Sequence, residues 1–501
     1  MSRPPRSLDR VNPVLVKEVR QAVRGRSFRG SFILSLAVSA IVSAVVLANL
    51  DVNDPSELAQ SGTRMFFALH LVFLFCTLIA VPVQAHRSMA MERDERTFDA
   101  LLISGLSPAQ IVLGKWLSAG ITIGLFLVAM LPFFATAATL YGLDLLVALM
   151  LTLLGISIGL TLSLLGILAA AMAKTKAAGS ILMMVFLGAC GFALMALANV
   201  GNALVFFGSG FGSTSEFLVA MGLMIAASFF SLLWLHGLAV ASISHPEENG
   251  FLRVRWAGVA CSIFLGIAPL IMATVVPFGT PARMAFPLLV ASLPILVLLN
   301  MPTMTESTGM KVRCRYQIES GRWRRFGTWL FLPGGGSGYV LFLIQLVIAG
   351  APTMIYLLTM PYGPVGLADR LTVLVEEGLG AYLTALGVTL ACCSFPAFLA
   401  SRPNAKPWAR SGLRFFLVTS PLWIILVLGV LTLLFRLHGN TLVNSVLNPF
   451  WAVDQNFNSL EAPGAIAFWW MLGLLGSFLM LITAASQLRS IRKLRREASQ
   501  P

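Results

Sequence analysis

The sequence contains very little charge for its length. Asp, Glu, Lys and Arg make up 11% of the 501 residues, against about 25% in an average soluble domain. Hydrophobic residues make up 57%, and they form runs close to the roughly 20 residues that a helix needs to cross a bilayer. The composition therefore excludes a soluble globular protein and predicts an all-α polytopic membrane protein.

Motifs that would give the chain its own chemistry are also missing. No G-x-x-x-x-G-K-[ST] occurs, because Gly114-Lys115 lacks the upstream glycine and a following Ser or Thr, so no P-loop is predicted. No zinc-protease or nucleophile-elbow pattern occurs either. The six cysteines lie mostly in apolar runs and predict no disulfide framework. We expect this chain to carry no catalytic residue, metal or cofactor site, so if the protein moves something uphill, the energy must come from another subunit.

Twelve apolar runs have a length suited to crossing the hydrocarbon core of a membrane. They occupy residues 31–50, 66–85, 116–140, 145–172, 181–198, 217–243, 256–278, 285–300, 338–360, 378–400, 415–435 and 464–487. No run contains Asp, Glu, Lys or Arg. Ion-coupled carriers normally need such groups inside the membrane, so this absence argues against coupling to an ion gradient.

The distribution of Lys and Arg predicts the orientation of the spans. With the N-terminus inside, the seven inner segments hold 31 of the 35 Lys and Arg residues, whereas the acidic residues divide into eleven inside and ten outside. The positions of Lys and Arg set the orientation of the spans, and the net charge of the loops does not. We therefore expect both termini in the cytoplasm and a multi-pass protein of the plasma (bacterial inner) membrane. This distribution also explains the net charge of +14 without nucleic acid as a partner.

The inner segments divide the chain into two predicted six-span halves. The predicted parts are a basic N-terminal segment 1–30, a six-span unit 31–243, a linker 244–255, a second six-span unit 256–487 and a basic tail 488–501. Each half has a long inner loop after its second span, at 86–115 and at 301–337. We therefore expect a six-plus-six pseudo-repeat in layout, although no residue-level repeat accompanies it.

Residues 86–115 form the only long polar interruption in the first half. If residues 91–103 are helical, four apolar side chains share one face at helical spacing, and these are Met91, Phe98, Leu101 and Leu102. The stretch carries four Lys/Arg and four Asp/Glu, whereas most other inner segments are strongly basic. A neutral surface with protruding apolar residues suits a protein partner better than an anionic lipid surface, so we predict a cytoplasmic hairpin that binds a protein.

The second arm of this hairpin begins with strong helix-start signals. Ser107 is a favourable N-cap, Pro108 occupies the first helical position, and Gln110 completes an S-x-x-Q capping box. At the N-terminus of the chain, Asn12-Pro13 likewise predicts a cap and first position for a helix over residues 14–24. We expect this amphipathic N-terminal helix to lie in the headgroup layer of the membrane.

These segments resemble those of a known family. Residues 92–107, ERDERTFDALLISGLS, followed by Gly114-Lys115, look like the segment after the second span of ABC-2-type transporter permeases, roughly E-x-E-x-x-T-[LF]-x-x-L-L, a small-residue turn and G-K. Residues 12–20, NPVLVKEVR, are similar to the N-terminal interfacial helix of many such permeases. The resemblance covers about residues 12–243; Arg96 stands where Gly is common, and residues 256–501 carry no matching motif.

The resemblance implies the permease subunit of an ATP-binding cassette exporter. A separate cytoplasmic ATPase subunit would bind ATP and Mg and would dock on a coupling helix that includes Glu92, Glu95, Thr97, Phe98, Leu101 and Leu102. The interfacial helix would include Asn12, Pro13, Lys17 and Glu18. Membrane lipids and an unidentified transported substrate are the other expected partners. Whether one chain forms the pore or two copies pair as a homodimer stays open.

Two other functions compete with this interpretation. The chain could be a membrane scaffold or sensor that uses the hairpin to hold a cytoplasmic partner without transport. It could also be an intramembrane lipid-modifying enzyme, with His70 or acidic residues of the outer loops as its chemistry. A lone histidine in a span is more often a packing residue, so the transport interpretation is preferred.

Overall fold

The structure is a computed structural model, and it describes most of the chain. The described residues are 13–50, 54, 60–94, 106–173, 175–206, 214–245, 249–275, 281–306, 322–359, 374–402, 406, 412–413 and 463–498.

Every regular element among the described residues is helical. The α-helices are α1 (Pro13–Arg24), α2 (Arg26–Ala48), α3 (Ser61–Phe75), α4 (Val81–Asp94), α5 (Pro108–Thr139), α6 (Leu145–Met172), α7 (Lys176–Phe206), α8 (Thr214–Ile243), α9 (Leu252–Val275), α10 (Pro281–Met304), α11 (Arg322–Leu330), α12 (Gly335–Thr359), α13 (Gly380–Ser401) and α14 (Pro463–Ala498). Two π-helical segments, Cys76–Ala80 and Val375–Leu379, complete the set.

Eleven helices of the described part are long and apolar enough to cross a membrane, with α3, the first π segment and α4 counted as one continuous span, Ser61–Asp94. They correspond to eleven of the twelve predicted runs. The twelfth, 415–435, lies outside the described residues. The chain is therefore an all-α polytopic membrane protein, as its composition predicts.

The chain divides into two compact units, Met1–Ser244 and His245–Pro501. Unit 1 contains α1 to α8, and six of its helical spans are candidates for crossing the membrane. Unit 2 contains α9 to α14, with five candidate spans among its described residues. The pseudo-repeat stays a prediction about layout.

Within unit 1, α6 is the central helix and packs against α4, α5, α7 and α8. Glycines on α6 allow the backbones to approach closely, as small residues do in membrane helix pairs. A Cβ added at Gly159 would lie 2.8 Å from the carbonyl oxygen of Thr77, and one at Gly166 would lie 2.9 Å from that of Pro82. The second span therefore lies directly against α6 along two turns.

The backbone of the second span changes geometry in the middle. Residues Cys76–Ala80 form a π-helical turn between α3 and α4. Pro82, which lacks an N–H donor, is the second residue after this turn. Such π-bulges are rare and occur frequently at functional sites. The carbonyl of Thr77, which faces Gly159, belongs to this turn. The close contact with α6 thus falls at the irregular point of the span.

In unit 2, a fully buried arginine connects several elements through hydrogen bonds and an ion pair. Arg255 on α9 donates to the carbonyl oxygens of Leu330 and Gly334 and to Ser337 Oγ. Its guanidinium also pairs with Glu306 Oε2 at 3.2 Å, and the side chains of both residues are almost inaccessible. This cluster joins the start of α9 to the residues that follow α10 and to the turn before α12.

The predicted hairpin 86–115 needs a correction at its first border. Residues 86–94 are the last turns of α4, so the second span continues to Asp94 instead of stopping at residue 85. The helix of the third span begins at Pro108, as the Ser107 cap predicts, and runs on into the apolar run that starts at residue 116. The remainder of the predicted helix 91–103 beyond Asp94 lies outside the described residues. Both spans thus extend past their apolar runs, and they carry charged residues with them.

The glycine contacts of α6 generate a prediction with a matched control. Gly159→Ala should lower the melting temperature of the detergent-purified protein, because overpacking against the backbone of Thr77 costs about 1–3 kcal/mol. Gly124→Ala on α5 should leave it unchanged or raise it slightly, since nothing lies within 4 Å of a Cβ there. Equal effects at the two sites, measured by scanning fluorimetry, would contradict this packing.

Candidate functional site

The start of α5 is fixed by the predicted capping box. Ser107 Oγ accepts a hydrogen bond from the backbone N–H of Gln110, and Gln110 Oε1 accepts one from the backbone N–H of Ser107 at 2.9 Å. This confirms the predicted cap. From this cap the helix buries Ile111, Val112 and Lys115, which follow helical spacing. The capped start therefore sets the face on which Lys115 points inward.

Lys115 is a lysine withdrawn almost completely from solvent, with a side chain only 1% exposed. Its ammonium lies 2.7 Å from Glu18 Oε1 and 2.9 Å from Glu92 Oε2. It also donates a hydrogen bond of 2.8 Å to Ser88 Oγ. A buried ammonium needs this degree of compensation, because removing a charge from water is expensive unless it is paired and hydrogen-bonded.

Two further bonds extend this cluster into what we call the charge network, Lys17, Glu18, Ser88, Glu92 and Lys115. Ser88 Oγ donates to Glu18 Oε2 at 2.7 Å, and Lys17 Nζ lies 2.8 Å from Glu92 Oε1. Lys17 is half-exposed, whereas the two carboxylates are about 10% exposed or less. Two cations and two anions balance, so the charge network joins α1, α4 and α5 without a net buried charge.

The opposite side of α4 is bonded to other elements. Arg93 donates to the carbonyl oxygens of Ala170 and Ala173 at 2.8 and 2.9 Å, at the end of α6, where a cation is favourable for the helix dipole. His86 Nδ1 lies 3.0 Å from the carbonyl oxygen of Gly166, and its ring stacks on Phe186 of α7. The last turns of α4 are thus attached to α1, α5, α6 and α7 together.

A cavity of about 400 Å³ opens beside the charge network. Its lining combines Lys17, Glu18, Ser88, Glu92 and Lys115 with residues of α1, α2, α4 and α5, which are Gln21, Ala22, Ser27, Val81, Gln84, Ala85, Arg87, Met91, Ser118, Ala119 and Thr122. The mixture of charged, amide, hydroxyl and apolar groups fits a ligand with both polar and apolar parts.

The charge network brings together three predicted site residues from separate segments. Lys17 and Glu18 of the predicted interfacial helix meet Glu92 of the predicted coupling helix. Pro13 is the first residue of α1, as predicted. The other predicted site residues lie outside the described part of the chain, and they are Asn12, Glu95, Thr97, Phe98, Leu101 and Leu102.

Two members of the charge network, Lys115 and Ser88, were not predicted as site residues. Lys115 was expected in the second arm of the hairpin, a helix that runs from the Ser107 cap into the third span, but outside the apolar run that begins at residue 116. The signal was nevertheless present, since Gly114-Lys115 belongs to the segment on which the family resemblance depends. Lys115 follows the Ser107 cap by two helical turns and lies on the buried face of α5 that also holds Ile111.

The helix α1 covers Pro13–Arg24, in agreement with the predicted helix over 14–24. Its buried residues are Val14 and Glu18, whereas the apolar side chains of Leu15 and Val19 are only half-buried. The helix packs against α5. The ion pair of Glu18 with Lys115 therefore determines which face of α1 points inward. Hydrophobic periodicity does not reveal this contact.

The residue proposed for the enzyme hypothesis has a different environment. His70 is 1% exposed, its ring stacks on Phe66 with centroids 5.4 Å apart, and neither ring nitrogen has a hydrogen-bond partner among the described residues. A general acid or base requires a partner that orients it and a proton to transfer. Here the imidazole packs as an aromatic ring.

Comparison with protein families gives a match that covers this region. Residues 13–202 match the family model described as ABC-2 type transporter. We call these matched residues, 13–202, the ABC-2 region. The ABC-2 region contains α1, the spans from α2 to α6 and most of α7, and with them the whole charge network. Comparisons with curated proteins and with solved structures gave no match.

The family match supports a membrane transporter permease, and the matched stretch is shorter than the resemblance suggested. The resemblance extends over about residues 12–243, whereas the match ends at residue 202 within α7. Unit 2 lies entirely outside the matched residues. The charge network and its cavity therefore lie in the part of the chain that matches the ABC-2 family model.

The burial of Lys115 predicts a graded response to substitution in this ABC-2 region. Lys115→Met should destabilise the protein by about 3–5 kcal/mol, because it leaves buried carboxylates without their main partner. Lys17→Met removes a half-exposed cation of the same charge network and should cost about 1 kcal/mol or less. The free energy of unfolding in mixed micelles measures both, and similar losses for the two variants would contradict the assignment.

Proposed function

We propose that this chain is the membrane-spanning permease subunit of an ATP-driven exporter. A separate cytoplasmic ATP-binding cassette ATPase would supply the energy, because the sequence contains no P-loop motif. The single observation that carries the proposal is the location of the charge network within the residues that match the ABC-2 type transporter model, where Glu92 begins the predicted coupling helix 92–102 and Lys115 follows it on the third span.

Docking would occur on the predicted coupling helix, which begins at Glu92 and includes Glu95, Thr97, Phe98, Leu101 and Leu102. An apolar helix face seated in a groove of the ATPase is a common mode of recognition between proteins. Met91, on the same predicted face, is 52% exposed at the end of α4. This exposure supports a contact surface that continues beyond Asp94.

A force applied to the predicted coupling helix would be transmitted to the membrane spans through the two flanking helices, α4 and α5. On one side, Glu92 and Arg93 at the end of α4 bind Lys17, Lys115 and the last carbonyls of α6. On the other side, Lys115 lies two turns inside α5. Because the bonds close a loop between the two flanks, movement of the coupling helix would carry α1, α4 and α5 as one body.

The second span also contains an irregular segment at which the helix could bend during such a movement. The π-helical turn Cys76–Ala80 and Pro82 interrupt the regular backbone bonding between α3 and α4. On the C-terminal side of this interruption, α4 is attached to its neighbours by hydrogen bonds and ion pairs. Nucleotide-driven closure of two ATPase subunits would then tilt the attached body and open an outward path.

The docking surface can be tested by disrupting its apolar face. In a tagged chain, Phe98→Asp and Leu101→Asp should each abolish co-purification of the ATPase from the native host, because a charge would replace a buried apolar anchor. Ala100→Asp, on the opposite side of the predicted helix, is the matched control and should retain the ATPase.

Three results of this experiment distinguish the competing hypotheses. Retention of the ATPase by the Phe98 and Leu101 variants would contradict the coupling assignment. Co-purification of a partner without ATPase activity would favour the scaffold or sensor hypothesis. Full activity of the purified chain alone in liposomes, without any ATPase, would contradict the exporter proposal and favour the enzyme hypothesis.

A further inference from the structure

The cavity beside the charge network continues into an apolar groove along the same two elements. Ser27 of α2 and Val81 of α4 line the cavity. One turn further along each element, Ser31 and Cys76 line a groove of about 340 Å³. A polar cavity and an apolar groove therefore follow each other along α2 and the second span, within unit 1.

The groove is lined mainly by apolar side chains and is open on one side. Its lining residues are Ser31, Leu34, Ser35, Val38, Leu71, Val72, Phe75 and Cys76. Leu34 is 59% exposed and Phe75 is 48% exposed. In a membrane, an open apolar groove of this kind faces hydrocarbon, and its apolar lining suits an acyl chain rather than a polar solute.

The charges that line the cavity do not cancel. The cations are Lys17, Arg87 and Lys115, and the anions are Glu18 and Glu92. Both carboxylates are bonded to lysines of the charge network. Arg87 is exposed and makes no hydrogen bond or ion pair with any residue that the structure describes. The cavity thus presents one guanidinium that is available to an anion.

We propose that the cavity and groove together bind an anionic glycerophospholipid. Its phosphate would lie at Arg87, where a guanidinium forms strong charge-assisted hydrogen bonds with phosphate oxygens. Gln84 and Ser27 supply further polar groups to the headgroup. One acyl chain would lie along α2 in the groove between Leu34 and Phe75. The lipid would thereby bridge α2 to the second span beside the charge network, independently of which cargo is transported.

Lipid-dependent stabilisation of the full-length chain tests this site. The delipidated protein in neutral detergent should gain thermal stability with added phosphatidylglycerol, and gain less with phosphatidylcholine at equal concentration. Arg87→Gln should raise the phosphatidylglycerol concentration for half-maximal stabilisation about fivefold, since one cation near an anionic lipid is worth about 1 kcal/mol. Arg29→Gln, an exposed arginine of α2 outside the cavity lining, is the charge-matched control and should leave it unchanged.

The acyl groove has its own matched pair of variants. Leu34→Trp should fill the groove and reduce the stabilisation by phosphatidylglycerol. Ile33 is 66% exposed but lies outside the groove lining, so Ile33→Trp should leave this stabilisation unchanged. Equal stabilisation by phosphatidylglycerol and phosphatidylcholine would overturn the proposal, as would equal effects of the Arg87 and Arg29 variants. Saturation by glycerol 3-phosphate with the same midpoint as the lipid would assign a site for small anions instead, and would also overturn it.

Discussion

The architecture of the ABC-2 region depends on one lysine ammonium held away from water between two carboxylates. Lys115 is stable in this position only because Glu18 and Glu92 compensate it from two other helices. The requirement for compensation fixes how α1 and α4 lie against α5, more strictly than apolar contact would. Helices that must share one buried charge cannot slide independently, so these three elements form one mechanical body next to the predicted coupling helix.

The same constraint explains what the sequence predicted and what it did not. Apolar runs predicted eleven described spans because burial in lipid demands continuous hydrophobicity, and the Ser107 cap was predicted because capping is local. The burial of Lys115 and Arg255 was missed because both lie just beyond the apolar runs, where a charged side chain normally faces water. Their burial depends on partners that lie between 23 residues away, for Lys115 and Glu92, and 97 residues away, for Lys115 and Glu18, which periodicity and composition cannot identify.

Each unit contains a buried ion pair at the end of its second span. In unit 1, Glu92 near the end of α4 pairs with Lys115 of the third span. In unit 2, Glu306 after α10 pairs with Arg255 at the start of the first span of that unit. The acidic member has the same place in both units, whereas the cation comes from a different helix. The two ion pairs thus correspond in the place of the acidic residue only, and the pseudo-repeat stays a prediction about layout.

The most direct test of the central claim replaces the bond between α1 and α4 by a covalent link. Lys17→Cys with Glu92→Cys, in a chain carrying Cys314→Ser, removes that contact and the bond of Lys115 to Glu92, but leaves Lys115 paired with Glu18. Reconstituted with the proposed ATPase subunit, this variant should lose the change in ATP hydrolysis rate that the native chain causes, and a short bismaleimide link should restore it. Native coupling without the link, or no recovery with it, would contradict the account.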